Sequence, residues 1–337
     1  MKILFIGPKF GNSLLLFKTI KNKFKNTQII DTKNILPFPK INNKIFHHFS
    51  PIIFEKKINK KILINIKKKY DLIFVKSGEI IGKKLILELK KYSKKIIFFC
   101  NDNPFVNRDK NKWKLFLSSA MYYDVIAYQD ISRVKLAEKL GLRNSLLVLP
   151  PYDSKIHKRY KMTLRERKRY KNKIIFVGTW FPERGKFLKK LIDKGLPIKI
   201  YGGRWEKDPF YEKLKDRITI GHFYDEKYSK LIQGAEMALC LFSKQNKDTI
   251  TARSTEIPAI GTLLCSYRTN AMSNIFTEDK EVVFFSNVKE CVNKCKYYLK
   301  NKSLAKKIAL NGHVKITKKM KVSTHDLFKK IIKHRNI

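Results

Sequence analysis

Short apolar runs alternate with amphipathic ones along most of the chain. Lys2–Ile6 is a short apolar run closed by Gly7-Pro8, the pattern of a strand followed by a turn. Residues 13–25 (SLLLFKTIKNKFK) place apolar side chains at helical spacing. Leu72–Val75, Ile96–Cys100, Val125–Tyr128 and Leu146–Leu149 are further apolar and β-branched runs, and segments 81–92, 110–121 and 131–140 between them read as helices. Strands this apolar, each followed by a helix, are expected when both faces of a sheet are covered. The N-terminal half is therefore read as a doubly wound parallel sheet. Residues 41–69 form a Lys-rich helical stretch without clear boundaries.

Residues 151–173 (PYDSKIHKRYKMTLRERKRYKNK) interrupt the alternation. They are polar and basic, open on Pro150-Pro151, and read as a linker. The alternation then restarts, with strands at Ile174–Val177, Ile198–Tyr201, Ile218–Ile220, Met237–Leu241, Thr262–Cys265 and Val282–Phe284. Helices are expected near 184–194, 209–215, 225–234, 251–260 and 287–300, and the tail from 302 is helical and basic. The expected organisation is an α/β chain of two Rossmann-like domains, 1–165 and 166–320, facing a cleft. A basic helix at 321–337 packs back on the first domain.

Length agrees, since 337 residues fit two domains of average size better than one core. Charge adds a question. The formal net charge of +46 comes almost entirely from Lys, and Lys, Ile, Asn, Phe and Tyr are inflated together. That is the pattern of an AT-biased coding sequence filling solvated positions. It is also what a polyanionic partner would select, either nucleic acid or an anionic membrane surface. The basic residues are spread along the whole chain and no RRM, KH or zinc signature occurs, which argues against nucleic acid. Each Lys held near an anionic leaflet is worth roughly 1 kcal/mol, so a few on one face would hold the protein there.

Cys100, Cys240 and Cys265 sit in or at the end of apolar runs and read as small buried hydrophobes. Cys291 and Cys295 share a helix face, but no neighbouring His or Cys in the sequence completes a metal set, so no metal is expected. The thiols read as reduced. No apolar run approaches the roughly 18 residues of a membrane span. The start, MKILFIGPKF, lacks a signal-peptide pattern. The expected location is the cytoplasm, free or peripheral on the inner face of the membrane.

In parallel sheets, ligands bind beyond the carboxyl ends of strands, so the loops after strands are where chemistry is expected. After Ile174–Val177 comes GTWFPERGKFLKKL. Gly178 allows close approach to the backbone, the helix starting near Pro182-Glu183 offers N–H groups to an anion, and Arg184 and Lys186 supply charge. The plainer alternative is the solvated first turn of an ordinary helix. After Ile198–Tyr201, Gly202 and Gly203 make a turn, and Trp205 is either a stacking face for a base or a packed core residue. After Met237–Leu241 comes DTITARSTEIPAIGTLLCS, in which Asp248, Arg253 and Glu256 cluster beside a buried strand. A carboxylate there can accept both hydroxyls of a ribose, and an Arg can take a phosphate; the alternative is a surface pair.

Asp102 and Glu79 follow two N-terminal strands and are the candidate general bases, with an Asx turn before Pro104 as the plainer role for Asp102. Gly7 and Gly11 mark an acceptor-side loop. His47, His48, His157 and His222 read as structural.

The run ARSTEIPAIGTLLCS followed by EDKEVVFFSNVKECVNKCKYYLKNKSLAKKIALNGH resembles the C-terminal domain of spore-maturation-protein-like (CgeB-like) glycosyltransferases, part of the wider GT-B group. The resemblance extends back through IIFVGTWFPERGKFLKKL, IKIYGG and YSKLIQGAEMALCL, and more faintly through DLIFVKSGE, FFCNDNPF and YDVIAYQD. It implies a GT-B enzyme that transfers a sugar from a nucleoside diphosphate sugar to a glycan, lipid-linked or protein acceptor, without a required cofactor. By the same resemblance Glu256 takes the ribose position. Asp248 stands where related retaining enzymes carry a second Glu facing the sugar. Arg184 and Arg253 become the diphosphate contacts. The rival readings are a same-fold epimerase, an inactive nucleotide-sugar-binding relative, and a nucleic-acid-binding protein.

Overall fold

The computed structural model describes residues 1–35 and 42–334. Residue 41, where the Lys-rich stretch begins, and the last three residues of the tail lie outside them. The chain forms two compact units, Met1–Leu149 with His325–Ile337, and Pro150–Thr324.

The first unit is built on a six-stranded sheet in the order β2-β1-β3-β4-β5-β6, parallel throughout. Its strands are β1 (Ile3–Gly7), β2 (Thr27–Asp31), β3 (Leu72–Val75), β4 (Ile96–Cys100), β5 (Val125–Tyr128) and β6 (Ser145–Leu147). The period-two alternation sends Leu4 and Ile6 into the apolar layer on one face and Ile3 and Phe5 into the layer on the other. That is why β1, β3, β4 and β5 are apolar or aromatic throughout and are buried along their whole length. The second layer includes Leu327, Phe328 and Ile331 from the last helix, Thr324–Lys333.

The second unit repeats the architecture with the order β12-β11-β10-β7-β8-β9, again parallel. Its strands are β7 (Asn172–Val177), β8 (Ile198–Gly202), β9 (Ile218–Ile220), β10 (Ala235–Cys240), β11 (Leu263–Tyr267) and β12 (Val283–Phe285). Strand order reverses direction between β1 and β3 in the first unit and between β7 and β10 in the second. At such switch points the loops diverge and open a crevice at the strand ends.

Two local expectations differ from the structure, and one strand has no counterpart among those expected. The strand β2 is an edge whose sequence, TQIID, mixes polar and apolar positions, so it carries no apolar run to find. The expected helix over 110–121 is instead a 3-10 segment, Asn107–Trp113, kinked at Lys110 (φ 45°), then a single helical turn, Lys114–Leu117, and a 3-10 turn, Ala120–Tyr122. The expected linker is structured. Tyr160 N–H donates to Gln233 Oε1 at 2.7 Å, and the helix Leu164–Tyr170 starts with a capping box between Thr163 and Glu166. The boundary expected at 165 thus falls inside the second unit.

Candidate functional site

The loops after β7 and β10 carry two arginines that cross the switch point of the second unit. Arg253, at the start of the helix Arg253–Ile260, donates from Nε to the carbonyl of Val177 at the end of β7 (2.5 Å). Arg184, in the first turn of the helix Pro182–Asp193, donates from Nη2 to the carbonyl of Leu241, just past β10 (3.1 Å), and from Nη1 to that of Thr179 (2.9 Å). Its guanidinium also lies over the Phe181 ring, 4.7 Å from the centroid. Strand-end carbonyls thus position each cation. Burial, and then the nearby charge of Arg253, lower the Arg184 guanidinium to about 10. Two half-buried like charges held close together favour an anion between or beside them.

Glu256 sits one turn further along the same helix as Arg253 and is 8% exposed. Its Oε2 accepts from the Tyr228 hydroxyl at 2.9 Å, and its Oε1 lies 3.8 Å from His157 Nε2. His157 Nδ1 accepts from the Asp153 N–H at 2.9 Å. Burial first, then the Glu256 charge, hold the Tyr228 phenol well above its ordinary pKa, so it remains a donor. The Tyr228 ring also faces the Arg253 guanidinium at 5.9 Å. One tyrosine therefore braces both the carboxylate and the cation. A carboxylate has about four acceptor sites, so Glu256 retains capacity for ligand hydroxyls. Burial lowers the Arg253 pKa, but Tyr228 and Glu256 outweigh it and the net shift is upward. Arg253 stays charged.

Asp248 is half-buried in the loop after β10, where Asn246 Nδ2 donates to its Oδ1. Lys186 is exposed and lines a small pocket of about 210 Å³ with Arg184, Phe187, Leu241 and Tyr267. Gly178 is buried at the end of β7, and a Cβ there would meet the Phe176 ring at 2.9 Å. At Gly202, with φ +157°, a Cβ would stand 2.0 Å from the Gly178 carbonyl oxygen. These glycines allow strands β7 and β8 to end side by side.

Trp205 is not a stacking face. It is fully enclosed, its indole N–H donates to the Gly178 carbonyl at 2.9 Å, and its ring meets Phe176 edge-on at 6.0 Å. A nucleobase has no access to it. Its role is to hold the turn that bears Gly178.

In the first unit, Gly7 ends β1, Gly11 follows it, and Glu79 follows β3, on either side of the switch point. A Cβ at Gly7 would meet the Lys76 and Phe5 side chains at 2.7 Å, while Gly11 takes φ +53° to start the helix Gly11–Lys23. Glu79 is half-buried, and burial raises its pKa against the opposing charge of Lys112. Burial also lowers Lys76 to about 8. Asp102, past β4, accepts from Arg108 Nη2 at 3.0 Å, and the same guanidinium pairs with Asp109 at 2.6 Å. The Asx turn in this loop belongs to Asn103, whose Oδ1 accepts from the Phe105 N–H at 3.1 Å, rather than to Asp102.

All five cysteines are free and buried. The pair on one helix face has a third neighbour. Cys265 from β11 places its sulfur 3.9 Å from that of Cys295, which lies 4.0 Å from that of Cys291. Sequence spacing could not reveal which strand that helix packs on. Three thiols are soft ligands, but tetrahedral zinc needs a fourth, and none joins them among the described residues. They pack within the apolar core of the unit.

Tyr228 and His157 are the site residues that sequence reasoning missed or set aside. Nothing local marks them, because their contact with Glu256 spans three separate segments.

Two units of this kind, each a parallel six-stranded sheet with interleaved helices, match the GT-B fold of the solved structures that follow. Residues 184–324 match the family model described as glycosyl transferase-like. The structure resembles Anabaena HepE in complex with UDP-glucose (TM-score 0.70, 10% identity, covering 98% of each chain). It also resembles sucrose-phosphate synthase from Thermosynechococcus elongatus (TM-score 0.74, 9% identity, 98% of this chain and 97% of that one). The E. coli trehalose-6-phosphate protein bound with UDP-2-fluoro glucose is similar as well (TM-score 0.63, 11% identity, 98% of each). At such identities these likenesses establish the fold. No curated protein matches the chain in sequence.

Proposed function

We propose that the chain is a glycosyltransferase that takes a sugar from a nucleoside diphosphate sugar bound in the second unit. The observation that carries this reading is the crossed pair of arginines at the switch point, each fixed by a strand-end carbonyl. Departure of a nucleoside diphosphate leaves negative charge on the diphosphate, and cations already in place stabilise it as it develops. Arg184 and Arg253 take that role, and the reading needs no divalent cation. Glu256, braced by Tyr228, accepts the ribose hydroxyls, and Asp248 faces the sugar. The match of residues 184–324 to a glycosyl transferase-like model covers these residues. Complexes of similar structures with UDP-glucose and UDP make a uridine nucleotide the first donor to test. The finer reading is a CgeB-like enzyme building a surface glycan or glycoconjugate.

Of the two acids in the first unit, Glu79 is the better general base. Burial raises its proton affinity, whereas Asp102 is committed to Arg108. A second reading, transfer with retention and no protein base, is supported by that same ion pair. A trehalose-6-phosphate synthase of similar structure is described as transferring with retention.

The test is titration calorimetry with UDP, GDP, ADP and their glucose conjugates, backed by thermal shift. A ligand at 100 times its dissociation constant stabilises a protein by about 2.7 kcal/mol, which is readily seen. One nucleotide series is expected to bind the wild type and to lose affinity in Arg253→Ala. Absence of binding across the whole panel would overturn the reading.

A further inference from the structure

A tip of the first unit combines three features that the donor site does not explain. The helix Asn42–Phe49, the 3-10 turn Pro51–Phe54 and the helix Glu55–Leu63 follow one another with a reversal at Ser50. Ser50 takes φ 72° and ψ 150°, a strained conformation for a residue with a side chain. The reversal turns Phe49, Ile52 and Ile53 outward, with exposures of 68%, 47% and 57%. The inward face is already filled by Phe46, Ile58 and Ile62, so the three exposed residues are not needed for the core.

The tip is held firmly. Asn111 Nδ2 donates to the His48 carbonyl at 2.6 Å, and His47 Nε2 donates to the Arg108 carbonyl at 3.3 Å. Single exposed apolar residues are ordinary. Three adjacent ones on a strained and braced turn call for an occupant.

Charge identifies it. Between residues 44 and 69 the chain carries eight lysines and one acid, Glu55. Lys44, Lys56, Lys57 and Lys60 are exposed beside the apolar tip, while Glu55 is half-buried. An apolar apex ringed by long cationic side chains matches a bilayer surface. The apex enters the boundary of the acyl chains while the ammonium groups reach the headgroups. A few such lysines add the electrostatic attraction that an apex this small needs. Among the described residues no helix is long and apolar enough to cross a membrane.

We propose that this tip docks the first unit onto an anionic phospholipid bilayer, with Phe49, Ile52 and Ile53 inserted and the surrounding lysines on the headgroups. The 3-10 turn packs against the turns that carry Glu79 and Arg108. The bound surface therefore lies at the end of the unit that carries the strand-end acids, which favours a lipid-linked acceptor. That last consequence rests on the transferase reading; the docking does not.

The test uses the full chain and vesicles of phosphatidylglycerol or phosphatidylcholine. Wild type is expected to sediment with the anionic vesicles and not with the neutral ones. Binding is expected to weaken in high salt, since exposed charges are screened beyond about 10 Å at 0.1 M. Phe49→Ser/Ile52→Ser/Ile53→Ser is expected to reduce partitioning at least about tenfold at the same salt. Lys56→Glu/Lys57→Glu/Lys60→Glu is expected to abolish it. Circular dichroism and melting confirm that both variants fold. Phe49→Trp supplies a positive signal, a blue shift of the introduced indole's emission on anionic vesicles only. The proposal is overturned if the serine variant binds as well as wild type. It is equally overturned if the emission of the Phe49→Trp variant does not move, or if light scattering shows a dimer through this tip that the serine variant dissociates and no vesicle binding. None of these readouts requires sugar transfer, so failure of the docking and failure of the transferase reading are separately visible.

Discussion

The Tyr228 hydroxyl donates to Glu256 Oε2 over 2.9 Å, and both groups are buried. A hydrogen bond to a charged group in such a setting contributes about 1.5–3 kcal/mol, mostly by fixing where the carboxylate points. Tyr228→Phe keeps the ring and its contact with Arg253 and removes only that bond. The expected result is a folded protein whose nucleotide affinity falls by about tenfold, the size of effect one such bond produces. Glu256→Ala removes the acceptor itself and is expected to lose more. Calorimetry on the two variants checks the order. Equal affinity in wild type and Glu256→Ala would show that the ribose lies elsewhere.

Arg253 discriminates a fork from a point charge. Its Nε is engaged by the Val177 carbonyl, so ligand contacts fall to the Nη atoms. A lysine can neither keep that backbone bond and reach an anion together nor present two parallel donors. Arg253→Lys is therefore expected to weaken nucleotide binding nearly as much as Arg253→Ala. Full affinity in the lysine variant would reduce Arg253 to a generic positive charge.

Most of the fold was legible because both faces of each sheet are covered. Leu72–Val75, Ile96–Cys100 and Val125–Tyr128 are strands with the expected bounds, since every residue in them is buried. The strand β2 was not legible, because an edge position tolerates Gln28 and Asp31. At the site, Arg184, Arg253 and Glu256 could be placed by their position after apolar strands. Tyr228 and His157 could not, because a long-range contact leaves no trace in local spacing. Trp205 shows the opposite limit. A turn that bears two glycines and an aromatic looks alike from sequence whether the ring faces a ligand or the core.

That distinction has a measurable consequence. Trp205→Phe removes the donor to the Gly178 carbonyl and leaves a small void beside Phe176. A buried carbonyl left unpaired costs about 1–3 kcal/mol. Denaturant unfolding is expected to show a loss of that order, with nucleotide affinity changed far less than in Tyr228→Phe. If affinity falls first and stability does not, the indole touches the ligand after all.

The last expectation concerns the proton. An acceptor hydroxyl attacking the donor must lose its proton, and a carboxylate can take it only when ionised. Burial raises the pKa of Glu79 above its ordinary value, so its ionised fraction grows over a higher pH range than that of a solvated carboxylate. If Glu79 is the base, kcat/KM is low at acid pH and rises as pH passes through that raised pKa. Glu79→Gln keeps the size and removes the titration. It is expected to lower turnover by about 100- to 10,000-fold, abolish the acid limb and leave donor affinity intact. Asp102→Asn is the matched control and loses only its ion pair with Arg108. A collapse in Asp102→Asn with normal turnover in Glu79→Gln would move the base to Asp102. Near-normal turnover in both would leave no protein base in the first unit, and transfer with retention would then stand as the mechanism.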